Sequence, residues 1–92
     1  MSQGISRDYE IINQLGLHAR AAAKLVGISS KFKCDIYIQK GQAQVSGKSI
    51  LGVMTLAASK GTTVTVTCKG DDEAAALDAI GDLIADRFGE EA

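Results

Sequence analysis

The stretch TTVTVTCK, residues 62–69, alternates polar and apolar side chains with a period of two. Val64, Val66 and Cys68 fall on one side and Thr63, Thr65 and Thr67 on the other. Such alternation marks a strand with one face toward a core. Downstream, Gly70 and the acids Asp71, Asp72 and Glu73 open a final helix, because acids in a first turn complement the helix dipole. Ala76, Leu77, Ile80, Leu83, Ile84 and Phe88 make its buried stripe. Gly89 closes it, and the acidic tail beyond is expected to fray. Upstream, Gly61 ends a short helix that carries Ile50, Val53, Met54 and Ala57 at helical spacing, with Ser49 as its N-cap.

Farther upstream, Ile36 and Ile38 alternate with Asp35, Tyr37 and Gln39, which predicts a strand over 34–39. Lys40 and Gly41 turn the chain into a short returning strand over 42–46, so the pair reads as a hairpin. An Ala-rich run from 18 to 30 places Ala22, Leu25, Val26 and Ser29 at helical spacing. Before it lies a weakly alternating strand over 7–13, with Tyr9 and Ile11 on one face. The order is β-α-β-β-α-β-α. Short helices and four strands do not make a doubly wound parallel sheet. The pattern predicts an α+β fold with a four-stranded antiparallel sheet and helices packed on one face.

A chain of 92 residues has room for one domain and one core. It rarely builds a deep cleft as well, so action through the surface, on partner proteins, is expected. Aromatics are only 4%, so the core must be aliphatic, and a base-stacking nucleic-acid binder is disfavoured. A net charge of −1 leaves no basic excess to neutralise a run of phosphates. The charge is uneven. Arg20, Lys24, Lys31, Lys33, Lys40, Lys48 and Lys60 share their stretch with the single acid Asp35, whereas the last 22 residues hold eight acids and Arg87. That split suits recognition of an acidic partner surface, although chance and helix surface composition would produce it too. Cys34 and Cys68 form no CxxC pair, and one histidine cannot complete a Cys/His zinc set, so buried or half-buried thiols and no metal are expected. No signal-peptide pattern or membrane-length apolar run is visible, which points to a cytoplasmic protein.

The most informative stretch for function is GLHAR, residues 16–20. Taken alone, a histidine at a loop-to-helix junction is more often a cap or a half-buried polar residue than a reactive group. The chemistry around His18 supports a sharper reading. The first turn of a helix presents unpaired backbone N–H groups, here those of Ala19, Arg20 and Ala21, and a positive dipole end. Arg20 adds a planar guanidinium suited to phosphate oxygens. Imidazole is largely neutral near pH 7, so one ring nitrogen is free to attack phosphorus. No second acid or base accompanies the histidine, which suits a carrier better than a hydrolase. Gly16 permits a tight approach of backbone or partner.

A second stretch, GKSILGVM, residues 47–54, follows about thirty residues after His18. Together the two stretches resemble the HPr family of phosphocarriers of the bacterial phosphoenolpyruvate-dependent phosphotransferase system. The resemblance runs from about Tyr9 to Phe88 and implies a single domain over 1–92. It further implies the open-faced β-sandwich, with three helices on one face of the sheet. His18 would match the histidine phosphorylated on Nδ1 by Enzyme I, which then passes the phosphoryl group to a histidine of an Enzyme IIA domain. Arg20 would match the arginine that assists it. Ser49 would match the serine modified by an HPr kinase/phosphorylase in many bacteria.

Ala21 stands where the family often has proline; it keeps an N–H and is a good helix former, so the chemistry is expected to survive. Gly16, Leu17, Lys24, Lys48, Ile50, Leu51 and Met54 are the expected partner interface, with Leu51 and Met54 more exposed than their hydrophobicity suggests. Phosphate on Ser49 would add charge beside that apolar set. The implied carrier is a monomer, a stoichiometric substrate of Enzyme I rather than an enzyme. It needs no cofactor, binds no nucleic acid and inserts in no membrane. Two alternatives stay open: the nitrogen-branch carrier NPr, and a plain interaction module in which His18 is structural.

Overall fold

A computed structural model describes residues 4–92. Residues 1–3, part of the expected single domain and of the N-terminal stretch without a signal-peptide pattern, lie outside the described residues. The order is β1 (Ile5–Glu10), α1 (Ala19–Ser29), β2 (Asp35–Lys40), β3 (Ala43–Ser46), α2 (Ile50–Thr55), β4 (Thr63–Lys69) and α3 (Glu73–Ala85), followed by a 3-10 turn, Arg87–Gly89. The strands form one sheet in the order β1-β4-β2-β3, every neighbouring pair antiparallel. The expected architecture is therefore the observed one: an open-faced sandwich, with three α-helices over one face of the sheet.

β4 lies near the middle, and its alternation sets the two faces. Val64, Val66 and Cys68 are buried with Ile36 and Ile38 of β2. The threonines turn the other way, toward solvent. Thr65 there donates to Asp8 at 2.6 Å, and the Thr67 and Ser6 hydroxyls meet at 2.7 Å across the β1–β4 pair. On the helix side the core is completed by Ala21, Ala22 and Leu25 of α1, Val53 of α2, and Ala76, Leu77, Ile80 and Ile84 of α3. Both cysteines are buried and free.

Three elements depart from their expected bounds by more than one residue. β1 starts at Ile5 and ends at Glu10, earlier at both ends than 7–13. Its alternation is hidden because Arg7 occupies an inward-row position, where it pairs with Asp78 of α3 at 3.3 Å. Ile11 still pairs with the chain before β4, donating to the Thr62 carbonyl at 2.8 Å, and the backbone then turns at Asn13. α2 ends at Thr55, well before Gly61, since Ala57 takes a left-handed φ of 50°. α3 ends at Ala85, before Gly89. Arg87 and Phe88 adopt φ of 54° and 55°, and this reversal buries Phe88 completely. Phe88 is thus a core residue, as expected, but from a turn rather than from the helical stripe.

Candidate functional site

His18 is the N-cap of α1, with extended backbone angles and no side-chain capping bond. The first helical donor in place is Ala22 N–H, which reaches the His18 carbonyl at 2.8 Å. The amides of Ala19, Arg20 and Ala21 thus precede the helical ladder. Ala19 and Arg20 are exposed, whereas Ala21 is fully buried. Its methyl packs into the core, so an anion arriving from solvent reaches the first two amides and not, in this arrangement, the third. The Arg20 guanidinium is exposed and makes no hydrogen bond or ion pair among the described residues.

The loop before His18 is pinned from below. Gly16 has φ of +67°, and a Cβ there would lie 2.4 Å from the Ala58 carbonyl oxygen. Its close approach lets the next amide, that of Leu17, donate to the same oxygen at 2.9 Å. Leu17 consequently points into the core at 5% exposure. This corrects two members of the expected interface: Gly16 and Leu17 are buried and serve the loop, because the close approach is to Ala58 rather than to a partner.

The expected fraying of the acidic tail is also corrected. One Glu90 carboxylate oxygen contacts His18 Nε2 in a hydrogen bond, and the other accepts from Asn13 Nδ2 at 3.0 Å. Asn13 is fully buried and donates from the same nitrogen to the Gly16 carbonyl at 2.8 Å. The His18 ring, chiefly, and the Asn13 amide hold the Glu90 carboxyl below its usual range. Lys24, expected at the interface, donates to the Phe88 carbonyl at 2.6 Å and so ties α1 to the C-terminal turn. The result is an open depression in which Leu15, His18, Ala19, Arg20 and Glu90 meet. Leu15 at its rim is 69% exposed.

Sequence reasoning missed Glu90 and Asn13. Asn13 left a faint signal, a polar residue following Ile11 at the inward alternation and three residues before a glycine. Glu90 left none near His18 in sequence; only the fold brings residues 18 and 90 together.

The second stretch behaves as expected in its local structure. Ser49 caps α2, its hydroxyl accepting from Gly52 N–H at 3.0 Å. Leu51 is 75% exposed, and Ile50 and Met54 are exposed beside it. Lys48 is exposed, with its ammonium on the Phe32 carbonyl at 2.8 Å. α1 and α2 pack against each other, so His18 and this apolar patch belong to neighbouring helices. Among the described residues no group of three or more His, Cys, Asp and Glu could hold a metal, and no helix is long and apolar enough to cross a membrane.

Comparison with known proteins follows the same lines. Residues 5–86 match the family model described as the PTS HPr component phosphorylation site. Phosphocarrier protein HPr of Cupriavidus necator is 51% identical over 86 residues, covering 94% of this chain and 97% of that protein. Phosphocarrier protein NPr of Shewanella violacea is 44% identical, covering 94% of each. Among solved structures, HPr-C-His from Thermoanaerobacter tengcongensis superimposes with a TM-score of 0.92 at 44% identity, covering 96% of this chain and 99% of the other.

Proposed function

The chain belongs to the HPr family, the phosphocarriers of the phosphotransferase system, and on that premise we propose that His18 accepts a phosphoryl group on Nδ1 from Enzyme I and delivers it to a histidine of an Enzyme IIA domain. The observation that carries the assignment is the place of His18: an N-cap imidazole with the amides of the exposed residues Ala19 and Arg20 ahead of the first helical bond and the Arg20 guanidinium unengaged beside it. A phosphoryl group on the ring would meet those donors and the positive end of α1. Among the described residues the carboxylate at the ring, that of Glu90, has its oxygens engaged by His18 and Asn13 rather than held out to activate water, so the phosphohistidine is left for another protein to discharge. The chain acts as a stoichiometric carrier in the cytoplasm, as a monomer, with no cofactor.

Ser49 is the proposed regulatory site. Phosphate there would sit on the start of α2 without unfolding it, and would add about −1.5 to −2 charge beside Ile50, Leu51 and Met54. These three, together with Lys24 and Lys48, make the docking surface for Enzyme I, Enzyme IIA and an HPr kinase/phosphorylase. The 44% identity to a protein named NPr favours one second reading, a carrier of the nitrogen-related chain; the KSILG segment at 48–52 favours the sugar-transport branch.

Incubation with Enzyme I and phosphoenolpyruvate tests the assignment. Acid-labile label on the wild type and none on His18→Ala is the expected result. Equal label on both would remove His18 from the mechanism and leave an interaction module as the better description.

A further inference from the structure

An imidazole has two neutral tautomers, and only one leaves Nδ1 with a lone pair. The environment of the ring selects between them. A carboxylate only accepts hydrogen bonds, so the Glu90 oxygen in contact with Nε2 requires the proton on Nε2. Nδ1 makes no hydrogen bond among the described residues. We infer that Glu90 is a positioning residue that holds His18 as the Nε2–H tautomer and so presents Nδ1 as the nucleophile. The inference rests on the carrier reading above and deepens it.

The contact is built rather than incidental. Phe88 is buried, which anchors the chain two residues before Glu90. Lys24 holds the Phe88 carbonyl at 2.6 Å. Asn13, fixed by its own bond to Gly16, engages the second Glu90 oxygen at 3.0 Å. Each carboxylate oxygen therefore has its own donor, and the Glu90 side chain is only 14% exposed. A partly desolvated carboxylate with both oxygens engaged holds one orientation, which fixes the ring it contacts.

In the transfer step the Nδ1 lone pair attacks the phosphorus carried by the donor protein. The new P–N bond forms as the bond from phosphorus to the donor atom breaks, and the electron pair of the broken bond stays with the donor atom. Nε2 keeps its proton throughout, so the phosphorylated ring carries positive charge at the end that faces Glu90. The opposite tautomer would first have to lose a proton from Nδ1.

Ring nitrogen NMR on the full chain tests this, at a pH above the titration of the imidazole. In the wild type Nε2 should appear protonated and Nδ1 unprotonated. In Glu90→Ala the two signals should move toward each other as the tautomers mix, and kcat for phosphoryl acceptance from Enzyme I should fall roughly tenfold while KM changes little. Glu91→Ala removes the same charge one residue on and should leave both readouts at their wild-type values. A Glu90→Ala ring spectrum identical to the wild type would overturn the inference, as would the same spectral change in Glu91→Ala. A wild type that takes no phosphate would instead defeat the carrier reading, while the ring spectrum would still decide what Glu90 does. Thermal midpoints of both variants report whether the fold is intact.

Discussion

At position 16 the backbone passes so close to Ala58 that no side chain fits between them. Gly16→Ala should therefore cost roughly 2–3 kcal/mol, from a left-handed conformation forced on alanine and a Cβ driven into a carbonyl. Urea unfolding would measure it, and a cost near zero would mean that the loop before His18 is not pinned as described. At this scale the reactive group was readable and its support was not. GLHAR names His18 and Arg20, since loop-to-helix chemistry is local in sequence. Glu90 reaches the ring from 72 residues downstream, Asn13 holds Glu90 from the turn upstream, and no local pattern connects them. Leu17 was misplaced for a related reason. It lies next to a surface residue in sequence, yet a single bond from its amide to Ala58 turns its side chain inward.

Among elements, α3 is attached to the start of β2 by one carboxylate. Asp72 precedes the helix but makes no side-chain cap. Instead it accepts from Lys33 N–H at 2.8 Å and Cys34 N–H at 2.9 Å. The Lys33 amide above all, with Cys34, holds its carboxyl below the ordinary value of 3.8. A depressed folded value means stability that is complete above 3.8 and lost as the pH falls below it. Acid unfolding of the wild type should draw on this group only below that value. Asp72→Asn should unfold more easily at neutral pH and lose less on acidification; an unchanged acid limb would remove Asp72 from the account. The sequence suggests the acids at 71–73 as dipole complements, but only Glu73 lies in the first turn. Strand β4 was plain because period-two alternation is a property of the strand itself. Helix ends were harder to place. α2 and α3 stop where Ala57, Arg87 and Phe88 take left-handed angles, a choice made by the packing of the chain that follows and not by a glycine.

For the whole molecule, the charge split of the sequence is bridged at the site, where Glu90 from the acidic end lies against His18 in front of the basic stretch. The apolar patch on α2 is a separate feature. Leu51 makes little of the core at 75% exposure, so Leu51→Ala should alter stability by less than about 0.5 kcal/mol. The same variant should raise KM for Enzyme I if the patch docks partners; unchanged kinetics would place docking elsewhere. His18, at the head of α1, and the patch, on the neighbouring α2, together make the surface on which transfer would occur. The most direct measurement is nitrogen–phosphorus coupling in the ring of His18 after treatment of nitrogen-labelled protein with Enzyme I and phosphoenolpyruvate. The predicted result is phosphorus coupled to Nδ1, with Nε2 still protonated and the coupling lost on addition of an Enzyme IIA domain. Phosphorus coupled to Nε2, or no phosphorus on His18, would contradict it.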